Sequence, residues 1–86
     1  MLSMPMIKIL FFGRLSDAAQ PMNCELPEGV STAGELAIWL EAQKPLLDKG
    51  LSDKGVRIAV NQIMTPRSAT IKDGDEIAFM SPLSGG

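Results

Sequence analysis

One segment of this chain has the length and the apolar spacing of an amphipathic helix, and short alternating segments lie on both sides of it. It runs from about Ala33 to Lys44, and its apolar positions recur at helical spacing: Leu36, Ala37 and Leu40. Thr32 is a natural N-cap, and Glu35 follows three residues later, which is the spacing of a capping box. Pro45 ends the helix, because proline cannot continue the hydrogen-bonding pattern. A single helix in 86 residues predicts one helix packed on a sheet.

Alternation of apolar and polar residues predicts the strands of that sheet. Two precede the helix, at Ile7–Phe12 and Met22–Leu26, and the third and last follow it, at Val56–Gln62 and Glu76–Met80, with a brief strand at Ala69–Ile71 between them. Because the helix separates the second strand from the third, we expect a parallel pairing somewhere in the sheet. The order predicts an α+β domain in which a mixed sheet packs on one main helix, which is the β-grasp arrangement.

The length of the chain indicates a single domain, residues 1–86. Residues 1–5 precede the first strand and are expected to be frayed. The last strand should stop near Ser81, because Pro82 has no N–H to donate to a ladder. Residues 82–86 are then a flexible tail, and its last four residues reach roughly 13 Å when extended.

The composition excludes several classes of site. The chain has no histidine and one cysteine, Cys24, so it cannot form a Ser/His/Asp or Cys/His set, an internal disulfide or a thiolate metal cage. Neither a P-loop nor a G-x-G-x-x-G motif is present, and we expect no bound cofactor or metal. We therefore expect that the protein is not an autonomous enzyme. We interpret Cys24 as a small buried hydrophobe.

Charge and hydropathy indicate the surroundings in which the protein works. Basic residues are scattered and the net charge is −2, so nucleic acid is not an expected partner. No apolar run reaches membrane-spanning length, and a cytoplasmic location is the default expectation. The carboxylates of Asp73, Asp75 and Glu76 cluster without the spacing of a calcium loop. They are expected to form a solvated turn that offers charge to a basic partner.

The sequence ends on Gly85 and Gly86. Because glycine has no Cβ atom, these two residues can enter a slot that is too narrow for any side chain. The α-carboxylate of Gly86 is a poor electrophile, but it becomes an acyl donor if another enzyme activates it with ATP. The alternative interpretation is that the two glycines end the sequence by chance.

The alternation also predicts an apolar surface on the side of the sheet opposite the helix. Phe12, Ala78 and Met80 fall on that side, and Met64, just past the third strand, could join them. Exposed phenylalanine and methionine side by side would form a partner-binding patch. The alternative is that twisting of the strands buries these residues at the edge of the sheet.

The sequence resembles the small subunits of molybdopterin synthase, the MoaD-type sulfur carriers, which have a ubiquitin-like β-grasp fold. The matching segments are Ile7–Gly13, Val60–Gln62 and Asp73–Phe79, and the sequence then ends Pro82-Leu83-Ser84-Gly85-Gly86. Many β-grasp proteins share the Val60-Asn61 step and the Asp73–Glu76 turn, and the Pro-x-x-Gly-Gly ending is more specific. The family often has two aromatic residues and two prolines where this chain has Phe79-Met80-Ser81-Pro82, and Met80 keeps the apolar character.

The resemblance implies a sulfur-carrying cycle in molybdenum cofactor biosynthesis. An adenylating enzyme similar to ubiquitin E1 would activate Gly86 with ATP and Mg²⁺, and a persulfide donor would convert it to a thiocarboxylate. The large synthase subunit would hold the active site, and this protein would be its non-catalytic sulfur-donating subunit in a heterotetramer. The sulfur would attack the pterin precursor, and two transfers would build a dithiolene.

The resemblance also implies roles for individual residues. Gly86 would carry the adenylate and then the thiocarboxylate, and Gly85 would allow the tail to be threaded. The remaining implied residues form the partner-binding surface: Phe12, Met64, Phe79, Met80, Pro82 and Leu83. Three other functions stay open at this point: a sulfur carrier of thiamin synthesis, a ubiquitin-like protein modifier and a plain interaction domain.

Overall fold

The computed structural model describes residues 4–13, 15–18, 20–43, 51 and 55–81. The elements in chain order are β1 (Met6–Phe12), α1 (Leu15–Ala18), β2 (Met22–Glu25), α2 (Ala33–Gln43), β3 (Arg57–Val60), β4 (Ile63–Thr65) and β5 (Glu76–Met80). The last strand has the predicted bounds. The predicted end of the main helix, at Lys44, lies outside the described residues.

The strands form one mixed sheet in the order β2-β1-β5-β3-β4. The middle strand, β5, pairs parallel with β1 and antiparallel with β3, and the two outer pairs are antiparallel. The expected parallel pairing is therefore confirmed, and it joins the first strand to the last. The predicted α+β class is also confirmed.

The capping box at the start of α2 is present in the structure. The N–H of Glu35 donates to Thr32 Oγ1 (3.2 Å), and the N–H of Thr32 donates to Glu35 Oε1 (3.1 Å). The Ser31 N–H also donates to Glu35 Oε1, at 2.8 Å. Hydrogen bonds from the backbone and side chain of Ser31 and the backbone of Thr32 lower the pKa of Glu35, because they stabilise the carboxylate form.

The core lies between α2 and one face of the sheet. Phe11 on β1 and Phe79 on β5 are register partners whose rings stack at a centroid distance of 6.0 Å. The helix contributes the face that its sequence spacing predicted, and the alternate residues of the strands complete the cluster: Ala33, Leu36, Ala37, Leu40, Ile7, Ile9, Ile58 and Ile77. Alternate residues of β1, β3 and β5 thus lie in the core, in agreement with the alternation that predicted these strands.

The segment Ala69–Ile71, predicted as a brief strand, is not one. It makes an isolated bridge between Thr32 and Thr70. Its backbone instead forms a hydrogen bond with the start of α2: the N–H of Ala33 donates to the carbonyl of Ala69 at 3.0 Å. The first N–H groups of a helix have no partner within the helix, and here a neighbouring loop supplies one.

The start of the chain also differs from the predicted pattern. The carbonyl of Pro5 accepts a hydrogen bond from the N–H of Leu26 (2.9 Å), so the expected frayed start does not extend to Pro5.

Cys24 is half-buried and packs against the core, which agrees with its interpretation as a small hydrophobe. Burial raises the pKa of the Cys24 thiol, because desolvation disfavours the thiolate. Within the described ranges, no helix is long and apolar enough to cross a membrane.

Strands β3 and β4 form a hairpin that the sequence prediction missed. Its two-residue loop consists of Asn61 (φ 53°) and Gln62 (φ 70°), and Val60 pairs with Ile63 across it. Positive φ at both loop residues is the geometry of a type I′ turn, which matches the twist of the two strands. The usual sequence signal for this turn is Asn-Gly. This chain has Gln62 in place of the glycine, so the signal is absent.

Replacing Gln62 with glycine is expected to stabilise the protein. A residue with a Cβ atom in the left-handed region costs about 1 kcal/mol, and the greater freedom of glycine in the unfolded chain offsets part of this gain. We expect the melting temperature to rise by about 2–6 °C. The fluorescence of the single tryptophan, Trp39, can measure the unfolding transition. Gly74→Ala is the matched opposite change: φ is +87° there and nothing lies within 4 Å of an added Cβ, so its melting temperature should fall. A lower melting temperature for Gln62→Gly would contradict this account.

Candidate functional site

The face of the sheet opposite α2 carries a continuous apolar surface, which we call the outer-face patch. The strand register places four of its residues in one row across the sheet, in the order Leu10, Ala78, Ala59, Met64. A second row, nearer the end of β5, begins with Phe12 and Met80. The patch therefore consists of these six residues.

The shape of the outer-face patch follows from the sizes of its side chains. The two alanines in the middle of the longer row are buried, with 6% of Ala59 and 9% of Ala78 exposed. Phe12 and Met64 at the borders are 48% and 53% exposed. Large side chains thus border a shallow, flat centre, which is a shape that suits the surface of another protein.

The structure brings together three of the sequence-predicted partner residues. Phe12, Met64 and Met80 all lie in the outer-face patch, on three different strands. Phe79 does not join them, and this prediction is corrected: its side chain is 0% exposed and stacks on Phe11 in the core. The physical reason is the alternation of the strand, since a residue next to Met80 must point to the opposite face.

Beside the patch, the backbone that leads to the tail is held by β1. The N–H of Ser81 donates to the carbonyl of Phe12 at 3.4 Å, which extends the parallel pairing by one residue. Gly13 lies close against this point with φ +69°, and a Cβ atom there would be 2.5 Å from the carbonyl oxygen of Ser81. Glycine is required at this position, because any side chain would displace the start of the tail.

The predicted tail residues Pro82, Leu83, Gly85 and Gly86 lie outside the described residues. The structure does describe Ser81, the residue that precedes them. Ser81 follows directly on Met80, so the tail begins at the border of the outer-face patch.

The acidic turn before β5 is a structural element, and the expectation of a fully solvated turn is wrong for Asp75. Its side chain is 5% exposed; Oδ1 accepts from Asn61 Nδ2 and Oδ2 from the N–H of Lys72, both at 2.9 Å. Asp73 Oδ1 accepts from the N–H of Met6 at 2.7 Å. Across the described part of the chain, no group of three His, Cys, Asp or Glu is placed to hold a metal ion.

Sequence reasoning did not include Leu10, Ala59 or Arg57 in the site. The register adds Leu10 and Ala59 to the patch, and it places Arg57 beside Met80 in the row next to the tail. Alternation alone indicates which face a residue occupies. Only the order of the strands indicates which outward residues become neighbours.

Comparison with known proteins agrees with this architecture. The family model described as the ThiS family matches residues 9–86. The molybdopterin synthase sulfur carrier subunit of Escherichia coli (strain K12) is 32% identical over 81 residues, which cover 94% of this chain and 100% of that protein.

Two solved structures extend the likeness to the fold. The crystal structure of SAMP1 from Haloferax volcanii matches with a TM-score of 0.74 and 21% identity, over 94% of this chain and 99% of that one. A chain in the complex of subunits 1 and 2 of the molybdopterin-converting factor from Helicobacter pylori 26695 matches with a TM-score of 0.65 and 24% identity, over 94% and 99%. The fold is thus a ubiquitin-like β-grasp. The chain belongs to the ThiS family, and it resembles the molybdopterin synthase sulfur carrier subunit over nearly its whole length.

Proposed function

We propose that this protein is the sulfur carrier subunit of a molybdopterin synthase. The observation that carries the proposal is the 32% identity with the Escherichia coli subunit of that name, which the match covers completely. The outer-face patch supports it, because a carrier needs a surface for docking next to the segment that it delivers. In the Helicobacter pylori structure, the two subunits of the molybdopterin-converting factor form a complex.

In the proposed cycle, the carboxylate of Gly86 changes its chemical form while the body of the protein remains unchanged. An adenylating enzyme similar to ubiquitin E1 joins the carboxylate to AMP, using ATP and Mg²⁺ and releasing pyrophosphate. The outer sulfur of a persulfide donor attacks the acyl carbon, and AMP leaves. A thiol then reduces the acyl disulfide, so that the thiocarboxylate is released.

The thiocarboxylate is the reactive species in the final step. It is a much better sulfur nucleophile than a carboxylate, and in the active site of the large subunit its sulfur bonds to a carbon of the pterin precursor while an oxygen substituent leaves that carbon. Water then cleaves the thioester between Gly86 and the transferred sulfur, so that the sulfur stays on the pterin and Gly86 returns to the carboxylate. Two such transfers complete the dithiolene, and a heterotetramer with two carriers provides one arrangement for them.

The chain's own residues have two tasks in this cycle: docking and reach. The outer-face patch binds the large subunit through its larger side chains, which include Phe12, Met64 and Met80. Beyond Ser81, five residues in extended form span about 16 Å, which sets the depth of the site that the tail can reach. Gly85 and Gly86 pass through a narrow entrance, because neither has a side chain.

The proposal is tested by the intact mass of the protein purified from its native cells. A carrier should show a fraction whose mass has increased by the difference between one sulfur and one oxygen atom, located at Gly86 by fragmentation. Treatment with an alkylating reagent that modifies thiocarboxylates should shift only that fraction. The large molybdopterin synthase subunit should co-purify with the protein.

Each alternative function gives a different result in the same experiment. Conjugates in which Gly86 is linked to lysines of other proteins would indicate a ubiquitin-like modifier. Sulfur at Gly86 together with the enzymes of thiazole synthesis would indicate a thiamin-pathway carrier. An unmodified Gly86 in sulfur-replete cells would contradict sulfur carriage altogether.

A further inference from the structure

Charges are distributed unevenly along the outer face of the sheet. In the row farthest from the tail, Lys8 and Glu76 are register partners of opposite sign, so their charges offset one another. The next row is the apolar one. In the row beside the tail, the register order is Phe12, Met80, Arg57. Within these three rows, as far as the structure describes them, Arg57 carries the charge that no register partner offsets.

We propose that Arg57 selects a partner surface that carries a carboxylate at the entrance of the site which receives the tail; this inference rests on the proposed function. Arg57 is exposed, on a chain whose net charge is −2. Its planar guanidinium group matches the two oxygens of a carboxylate. Apolar Met80 beside it would exclude water from the contact, and a charge pair that has lost water interacts more strongly than one in solution.

The position of Arg57 defines what it does. It lies beside Met80, the last residue of β5, so it marks the root of the tail and not its tip. If the tail extends about 16 Å beyond Ser81, the reacting carboxylate is far from Arg57. Arg57 would then contact the partner outside the site that receives the tail. Arg57 is therefore a specificity residue for docking. Its loss should raise the concentration of carrier needed for half-maximal sulfur transfer and leave the rate at saturation unchanged.

The test is binding of Arg57 variants to the large molybdopterin synthase subunit from the same organism, measured by calorimetry. Arg57→Glu should weaken binding at least roughly tenfold, because it places like charges opposite one another. Arg57→Gln should weaken it about threefold. Arg57→Lys should weaken it about twofold, because the charge remains but lysine cannot pair with both oxygens of a carboxylate at once. Raising the salt concentration from about 0.05 M to about 0.5 M should weaken the unsubstituted complex more than the Arg57→Gln complex.

Lys72→Glu is the matched control. It makes the same change in net charge at an exposed residue near the opposite end of β5, and it should leave binding within about twofold. Equal losses for Arg57→Glu and Lys72→Glu would overturn the inference, because net charge alone would then explain them. Unchanged binding of Arg57→Glu would also overturn it. Failure of the proposed function has a distinct signature: the unsubstituted protein would not bind the large subunit, and the inference would fall with it.

Discussion

Deletion of Gly86 is expected to abolish sulfur transfer while the body of the protein folds normally. The deletion moves the terminal carboxylate back by one residue, about 3.3 Å, and a misplacement of about 1 Å can already cost 100-fold in rate. We expect thiocarboxylate formation and transfer to the pterin precursor to fall by more than roughly 100-fold. The core cluster spans Ile7 to Phe79, so the melting temperature should not change.

The measurement is a reconstitution with the adenylating enzyme, a persulfide donor and the large subunit, with the thiocarboxylate followed by mass spectrometry. Gly85→Ala should be nearly as inactive, because its Cβ atom meets the narrow entrance. Ser84→Ala is the matched control: it keeps both the length of the tail and its two glycines, and it should retain activity. Sulfur transfer by the Gly86 deletion at a rate close to that of the unsubstituted protein would refute the mechanism.

Replacing Met80 with aspartate is expected to weaken binding to the large subunit strongly. Met80 lies between Phe12 and Arg57 in the row next to the tail, so a docked partner would cover it. A carboxylate buried against apolar groups without a partner costs about 2–3 kcal/mol, which corresponds to roughly a 30- to 150-fold loss of affinity. Calorimetry with the large subunit measures this loss.

The control for this change uses neighbouring residues of β4. Met64 lies in the outer-face patch, whereas Ile63, which is 68% exposed, points to the other side of the sheet. Met64→Asp should therefore weaken binding, and Ile63→Asp should not. Both side chains are exposed, so neither change should prevent folding. Unchanged affinity for Met80→Asp would remove Met80 from the docking surface, and equal losses for Met64→Asp and Ile63→Asp would show that the face is not recognised.

The elements that short-range signals specify were predicted well. The helix with its capping box, the last strand and the inward faces of the longer strands depend on residues within one turn or one strand of each other. The β3–β4 hairpin was missed for a physical reason as well. Asn61 and Gln62 adopt a turn that usually contains glycine, and the tertiary structure stabilises it through hydrogen bonds of Asn61 with Asp75 and Glu76.

The candidate site was predicted in part, and its two errors have different causes. The alternation placed Phe12 and Met80 outward, and the structure brings them together, because β1 and β5 pair in parallel. Phe79 was assigned to the docking surface by resemblance, although its own alternation with Met80 points it into the core. Asp75 was interpreted from its charge alone, and its burial depends on Asn61, which lies on a distant turn.

By itself, the sequence determined the helix and most strands, the apolar and polar faces of each, the absence of histidine chemistry and the two glycines at positions 85 and 86. Capping, alternation and residue chemistry are local properties, and they can be recognised in a single chain. Only the tertiary structure decided that β5 lies between β1 and β3, and therefore that Phe12, Met80 and Arg57 share a row beside the start of the tail. The physical reason is that strand order depends on pairings between distant segments, which no local pattern specifies.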